Sequence, residues 1–379
     1  MLTRLDETLM HQGPTTFDQA LTSDHRFFDR IWIGVHHEGE AALIMGMAVY
    51  KNMNVMEGFA SLQKGDKQYN LRLSRILRPN MANGLEIGPL HVEVLEPMQK
   101  LRIRLDQSEV YPTSFDLTWE GTYPAREEGH HFSRRRGRIY QDYIRFDQVG
   151  KANGLLSIGE EEIEAREWCG FRDHSWGVRP GVGGFEPKTG GKKADRLGAS
   201  TATIRRDTLF IWLAFRAEGV GGQLQMMEDG EGKRLNIDGH IAFPEGSGKP
   251  ELKVVDLEHD ISFIPGTRVY DKATLVVTTR DGANWEIKAE AVGRAWVFKG
   301  TGYDNGYDDE LGLGAYRGEN LMEVDIYDIS HPEDVILPDN RVIRPVHREQ
   351  PVKLTVNGKP GYGYMPIINS GVIKRYGLK

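Results

Sequence analysis

Apolar and polar residues alternate over short runs along most of the chain, each run under about a dozen residues and bounded by turn residues, which is the pattern of strands with one buried face. A first strand is expected at Asp29–Gly34, where Ile31 and Ile33 share a face continued by Val35, with Trp32 opposite. Ala41–Lys51 is apolar on both faces, as a buried strand is. Gln68–Leu77 sets Tyr69, Leu71 and Leu73 against Asn70 and Arg72, and Phe115, Leu117 and Trp119 alternate further on. Leu85–Leu95 and Leu101–Leu105 form an expected hairpin across Glu96–Gln99. Tyr140–Val149 continues the style, and Asn153-Gly154 is a turn signal before Leu155–Ile163. In the second half, Thr208–Arg216 is apolar on both faces, with Leu209, Ile211, Leu213 and Phe215 on one and Phe210, Trp212 and Ala214 on the other. Ala273–Thr279 and Trp285–Ala291 read as a hairpin, and Met322–Tyr327 as a further strand. The helical period never persists; Phe17–Phe28 is the one short helix expected. The fold class is therefore all-β, a sandwich or barrel.

One stretch breaks the monotony. Gly170–Arg179 gathers an acid, an imidazole, an indole and two guanidinium groups. In an extended segment Arg172, His174 and Trp176 share one face and Asp173 and Ser175 the other, with neighbours on a face about 7 Å apart. His174 and Trp176 are thus expected to line one pocket. Gly170 and Gly177 bracket the stretch, as a bend or close approach requires.

Composition narrows the classes. At 379 residues the chain is long enough for two domains. The Gly-rich Pro180–Lys193 reads as a lid or linker, so the boundary is placed between 185 and 186, giving domains 1–185 and 186–379. A net charge of −7 argues against a nucleic-acid partner. One cysteine leaves no disulfide framework and no cysteine-based metal site. His36-His37 and His130-His131 do not make a metal site either, because adjacent strand residues face opposite ways. Arg134–Arg138 reads as a solvated edge, and Tyr303–Glu310 as a solvated acidic loop that lacks calcium-ligand spacing. The acidic first residues and the lack of a long apolar run lead to an expected cytoplasmic protein with no signal peptide and no membrane span.

Arg172-Asp173-His174-Ser175-Trp176-Gly177-Val178-Arg179, preceded by Tyr143–Gly150, resembles the tandem-lipocalin family of carotenoid hydratase (hydroxyneurosporene synthase) and kievitone hydratase. The resemblance implies two lipocalin-like antiparallel β-barrels packed in tandem, with a pocket near their junction. It also implies catalytic roles for His174 and Trp176, with Asp173 beside them. The Tyr-x-Asp that those hydratases carry on a following strand has no counterpart in Arg205–Phe210, which turns the expectation away from a carotenoid. Arg172, Arg179, Trp212 and Tyr303 are the expected substrate contacts, with Asp207, Asp304 and Glu319 as weaker candidates.

The expected chemistry is that of a hydratase-like lyase acting on a hydrophobic isoprenoid, steroid or aromatic compound, with neither cofactor nor metal. A carboxylic acid kept neutral by apolar surroundings would donate a proton, an indole would steady a carbocation, and His174 would deprotonate water. In an elimination, cleavage or isomerisation, Arg172 or Arg179 would instead steady negative charge. A carrier of a lipid-like ligand and a lyase cleaving a C–C or C–O bond of a plant-derived aromatic are the alternatives. A homodimer stays open.

Overall fold

The computed structural model describes residues 4–7, 9–39, 41–78, 85–135, 137–184, 207–244 and 246–379. The expected boundary at 185/186, and with it most of the Pro180–Lys193 segment, lies outside the described residues.

The first half supplies strands β1 (Phe27–His37), β2 (Ala41–Tyr50), β3 (Val55–Lys64), β4 (Lys67–Ile76), β5 (Leu85–Ile87), β6 (Leu90–Glu96), β7 (Lys100–Leu105), β8 (Thr113–Gly121), β9 (Arg126–Glu127), β10 (His131–Arg135), β11 (Arg138–Ile158) and β12 (Glu161–Val178). The second half supplies β13 (Thr208–Ala217), β14 (Val220–Asp229), β15 (Arg234–Ala242), β16 (Leu252–Phe263), β17 (Tyr270–Thr279), β18 (Asn284–Ala291), β19 (Trp296–Val297), β20 (Asn320–Asp328), β21 (Val335–Ile336), β22 (Val342–Ile343), β23 (Arg348–Glu349), β24 (Pro351–Val356), β25 (Lys359–Tyr364) and β26 (Ile367–Ser370). Every pairing between these strands is antiparallel. Among the described residues, no helix is long and apolar enough to cross a membrane.

The all-β fold expected from the alternation is the fold observed, and so is the tandem of barrels that the resemblance implies. In the first sheet the order is β22-β21-β20-β4-β3-β2-β1-β12-β11-β8-β7-β6-β5. It curls on itself, because Leu71 and Leu73 of β4 enter one core with Ile87 and Leu90 of β5 and β6 at the far end of the path, together with Ile33, Leu43, Ile103 and Leu117. The nine-stranded second sheet closes through an added β13–β14 pairing, which abolishes its free edges there. Its interior is filled by Leu209, Ile211, Leu213, Phe215, Leu257, Leu275 and their neighbours.

Period-two alternation then sorts the outer faces. On β1, Ile33 and Val35 point into the first barrel, while Trp32 points out of it. On β13, Trp212 and Ala214 lie opposite the barrel core. These outward faces meet: Trp32, Val149 and Phe171 from the first barrel pack with Trp212, Ala214 and Tyr364 from the second. Trp296 and Phe298 complete this aromatic seam. Thr208–Arg216 is apolar on both faces because it serves a barrel core and the seam together.

Three expectations are corrected. Phe17–Phe28 is not helical; it is turn and coil leading into β1, since its few apolar residues dock on the barrel without a continuous apolar stripe. Leu85–Leu95 is two strands, folded back at Gly88-Pro89. Asn153-Gly154 is not a chain reversal: both lie inside β11, where the register shifts between Ala152 and Gly154. Gly154 has φ +142°, and a Cβ there would sit 2.1 Å from the Asp116 carbonyl oxygen, so the glycine serves a close approach to β8 rather than a turn. The extra residue of the bulge lies on β12, where Arg166 and Glu167 oppose Asn153 and Glu167 has φ +55°. The reversal comes later, between Ile158 and Glu161.

The second half of the chain is not confined to the second sheet. β20 pairs with β4 along its whole length, from Asn320 opposite Arg75 to Asp328 opposite Lys67. Arg72 fastens this crossing, with Nη2 2.7 Å from Asp325 Oδ2 and Nε 3.1 Å from Glu323 Oε2.

Candidate functional site

Between the barrels, where the aromatic seam thins, lies a cavity of about 200 Å³. Its walls come from β1, β11 and β12 of the first barrel, from β13 and β14 of the second, and from the segment carrying Phe298, Tyr303, His347 and Glu349. Trp32, Phe171, Phe210, Trp212 and Phe298 form the apolar walls. Arg30, Arg145, Asp173, Arg179 and Glu349 supply the charge-bearing groups.

The same alternation that built the seam chooses these residues. Asp173 lies opposite Trp32 across the β1–β12 ladder and opposite Asp147 across the β11–β12 ladder. Ser175 stands between Arg30 and Arg145 in the same two ladders. Arg30, Arg145, Asp173 and Ser175 thus all face outward from the first barrel, into the cavity. Of the residues expected from sequence to form the site, Asp173, Arg179, Trp212 and Tyr303 line it.

Arg172, His174 and Trp176 share the opposite face, as the spacing predicts, and that face belongs to the first barrel. Arg172 lies 4.8 Å over the Trp119 ring and donates to Gln148 Oε1 at 2.9 and 2.6 Å. The His174 and Trp176 rings meet edge to face, 5.3 Å apart. His174 Nε2 lies 2.8 Å from Asp29 Oδ1, and Trp176 is 36% exposed. Both rings sit toward the rim of the first barrel, and neither lines the junction cavity. The expectation that they look into the pocket fails because it picked the wrong face of β12.

The weaker candidates divide. Asp207 Oδ1 accepts from the Val372 backbone N–H at 2.7 Å, a structural bond. Glu319 is exposed. Asp304 stands 3.8 Å from His347 Nδ1. The acidic loop is neutralised by its own neighbours, Asp308 by Lys299 at 2.8 Å and Asp309 by Arg317 at 2.6 Å. No group of side chains suited to a metal occurs among the described residues.

Electrostatics mark the cavity. Glu349 is 7% exposed and its Oε2 has no hydrogen-bond partner among the described residues. Burial, and then the nearby Asp173, push its carboxyl well above the usual range, which favours its protonated form. Burial also raises Asp173, opposed by Arg145, Arg30 and Arg179. Arg145 Nη2 donates to both oxygens of Glu128, at 2.7 Å each, while its buried Nε has no hydrogen-bond partner among the described residues. Glu128 also lies 2.7 Å from His131 Nε2. Burial and then the charge of Glu128 push the Asp147 carboxyl well above the usual range, and neither of its oxygens has a hydrogen-bond partner among the described residues. His347 is stacked on Phe298 at 3.7 Å and held neutral, its pKa lowered to about 3 by burial and then by Arg179 and Arg30.

Sequence reasoning missed Arg30, Arg145 and Glu349. Arg30 carried a readable signal, a charge on the Trp32 face of a strand whose other face is core. Glu349 carried none, since its strand is two residues long.

A family model described as a family of unknown function, DUF8625, matches residues 2–379. The chain belongs to that family. No curated protein matches it. Among solved structures, a putative AttH from Nitrosomonas europaea is similar at TM-score 0.52 and 10% identity, covering 95% of this chain and 100% of that one. Kievitone hydratase from Nectria haematococca is similar at TM-score 0.41 and 12% identity, covering 90% of this chain and 89% of that one. CghA with Sch210972 gives TM-score 0.46 and 9% identity, over 91% and 89% of the two chains. The AttH likeness is one of fold, and it agrees with the tandem-barrel architecture of this DUF8625 member.

Proposed function

We propose that this protein is a cofactor-independent lyase of the hydratase or dehydratase type, working by proton transfer in the junction cavity. The observation that carries the reading is a pair of buried carboxyl groups, Glu349 and Asp173, lining one cavity with apolar walls. Burial raises both, Glu349 well above the usual range with no cation opposing it and Asp173 against the charges of Arg145, Arg30 and Arg179, so Glu349 is assigned the acid and Asp173 the base. A difference in environment between two neighbouring carboxyls, one facing cations and one not, is how acid and base roles separate at one pH.

The charges also choose the transition state. Three guanidinium groups at the cavity wall oppose a carbocation and favour developing negative charge. The route is therefore enolate-like rather than cationic, with Asp173 taking a proton and Glu349 giving one. Both barrel interiors are filled by side chains, which disfavours a lipid carried inside either barrel. At about 200 Å³ the cavity is also below the roughly 300–1,000 Å³ of ordinary ligand pockets, which argues for a small substrate rather than a steroid or carotenoid. Arg172, His174 and Trp176 become supporting residues of the first barrel.

The test is deuterium incorporation. A panel of small unsaturated compounds and their hydrated forms, incubated with the enzyme in D₂O, should yield a product deuterated at carbon, and Glu349→Gln should abolish it. Undiminished incorporation by Glu349→Gln would remove Glu349 from the chemistry.

A further inference from the structure

Resting on that reading, we propose that the substrate is a small α,β-unsaturated carboxylate, or its β-hydroxy hydration product, held through its acid group by Arg30 and Arg179. Arg30 is 7% exposed, yet among the described residues its guanidinium makes no ion pair and no hydrogen bond. It lies 4.6 Å over the Tyr303 ring and 5.5 Å from that of Phe59. Among the described residues Arg179 donates only to the Tyr303 hydroxyl, at 3.1 Å, and it lies 5.4 Å from the Phe28 ring centre.

The two cations thus share Tyr303, and the charge of Arg179 disfavours that of Arg30. Burial and then Arg179 lower the pKa of Arg30 to about 10. The anionic groups that face Arg30 do not contact it: Glu57 is engaged by Arg317 at 2.7 Å, and Asp173 acts from a distance on Arg145 and Arg179 as well. Burying a guanidinium without a partner is unfavourable, and a planar carboxylate offers the two acceptors that its fork matches. Arg145 does not compete for this role, because Glu128 already occupies it.

The apolar walls and the small volume fix the rest of the ligand: an aromatic ring or short unsaturated chain beside Trp32, Phe171 and Trp212. Hydration then balances as follows. Asp173 takes a proton from water and the water oxygen bonds to the β carbon. The π pair moves to the α carbon and the carboxylate, where Arg30 and Arg179 offset the added negative charge. Glu349 delivers its proton to the α carbon. Proton return from Asp173 to Glu349, through solvent, restores both groups; dehydration is the reverse.

The experiment is calorimetric titration of the full chain with trans-cinnamate and two neutral isosteres, cinnamamide and cinnamyl alcohol. Cinnamate should bind at least about tenfold tighter than either neutral compound. Arg30→Met should weaken cinnamate by about tenfold or more while raising Tm, because it removes an uncompensated buried charge; a merely structural arginine would lower Tm. Arg179→Gln should weaken cinnamate likewise and stands in if Arg30→Met does not fold. Equal binding of acid and neutral isosteres, no cinnamate binding at millimolar concentration, or undiminished binding by Arg179→Gln overturns the proposal. Acid-selective binding with no deuterium incorporation would leave the proposal standing and remove the lyase reading. Turnover of neutral compounds without acid preference would do the reverse.

Discussion

Glu349 and His174 are the two side chains on which competing accounts of this protein divide. His174 has the composition of a catalytic residue, an imidazole in a motif with Asp and Trp, but its partner is a half-exposed Asp29 on the barrel rim. Its replacement by Ala should cost about 0.5–1.5 kcal/mol of stability, the usual worth of such a hydrogen bond, with turnover largely kept. Thermal melts beside the deuterium assay check both halves of that statement. Asp173→Asn and Glu349→Gln should each lower turnover by about 10²-fold or more, as loss of a general acid or base does, with the fold retained. Glu349 also predicts a pH effect on stability. Its folded-state pKa lies above the unfolded value, so its stabilising share is full below about pH 4.3 and is lost as pH rises. Glu349→Gln removes that loss. Its stability relative to the parent should therefore increase as pH rises above about 4.3, as chemical denaturation at each pH would reveal.

At the scale of the strand, β12 shows what alternation can and cannot decide. Its two faces are legible from residue spacing alone: Arg172, His174 and Trp176 on one, Asp173 and Ser175 on the other. Which face meets a cavity is not legible, because that depends on what packs outside the first barrel. The second apolar face of β13 announces such packing, but the pattern does not name its partner. Glu349 is illegible for a different reason: a two-residue strand has no period. Gly154 in β11 misleads because a glycine at positive φ serves a turn and a close approach of strands equally. Gly177 reports how tightly β12 is held. Its φ is +134°, and an added Cβ would lie 2.3 Å from the Asp142 carbonyl oxygen. Gly177→Ala should destabilise by about 1–3 kcal/mol or more and loosen the Asp173 register, lowering turnover as well as Tm.

For the whole molecule, the two barrels are interlocked rather than strung together. β20 leaves the second half of the chain to cover the edge of β4, and Arg72 reaches 2.7 Å to Asp325 across the pairing. A fragment ending at residue 185 would expose that edge and leave a buried guanidinium unpaired. It should aggregate or fail to give a cooperative melt, whereas a soluble, cooperatively folding fragment would contradict the interlock. The interlock matters for chemistry because the cavity takes walls from both barrels and from the segment that carries Glu349. What remains is to establish which groups move protons there. The decisive measurement compares deuterium incorporation into one converted compound by the parent protein, Glu349→Gln, Asp173→Asn and His174→Ala. Loss in the first two variants, with His174→Ala within a few-fold of the parent, is the predicted result; abolition by His174→Ala with full activity in Glu349→Gln would contradict it.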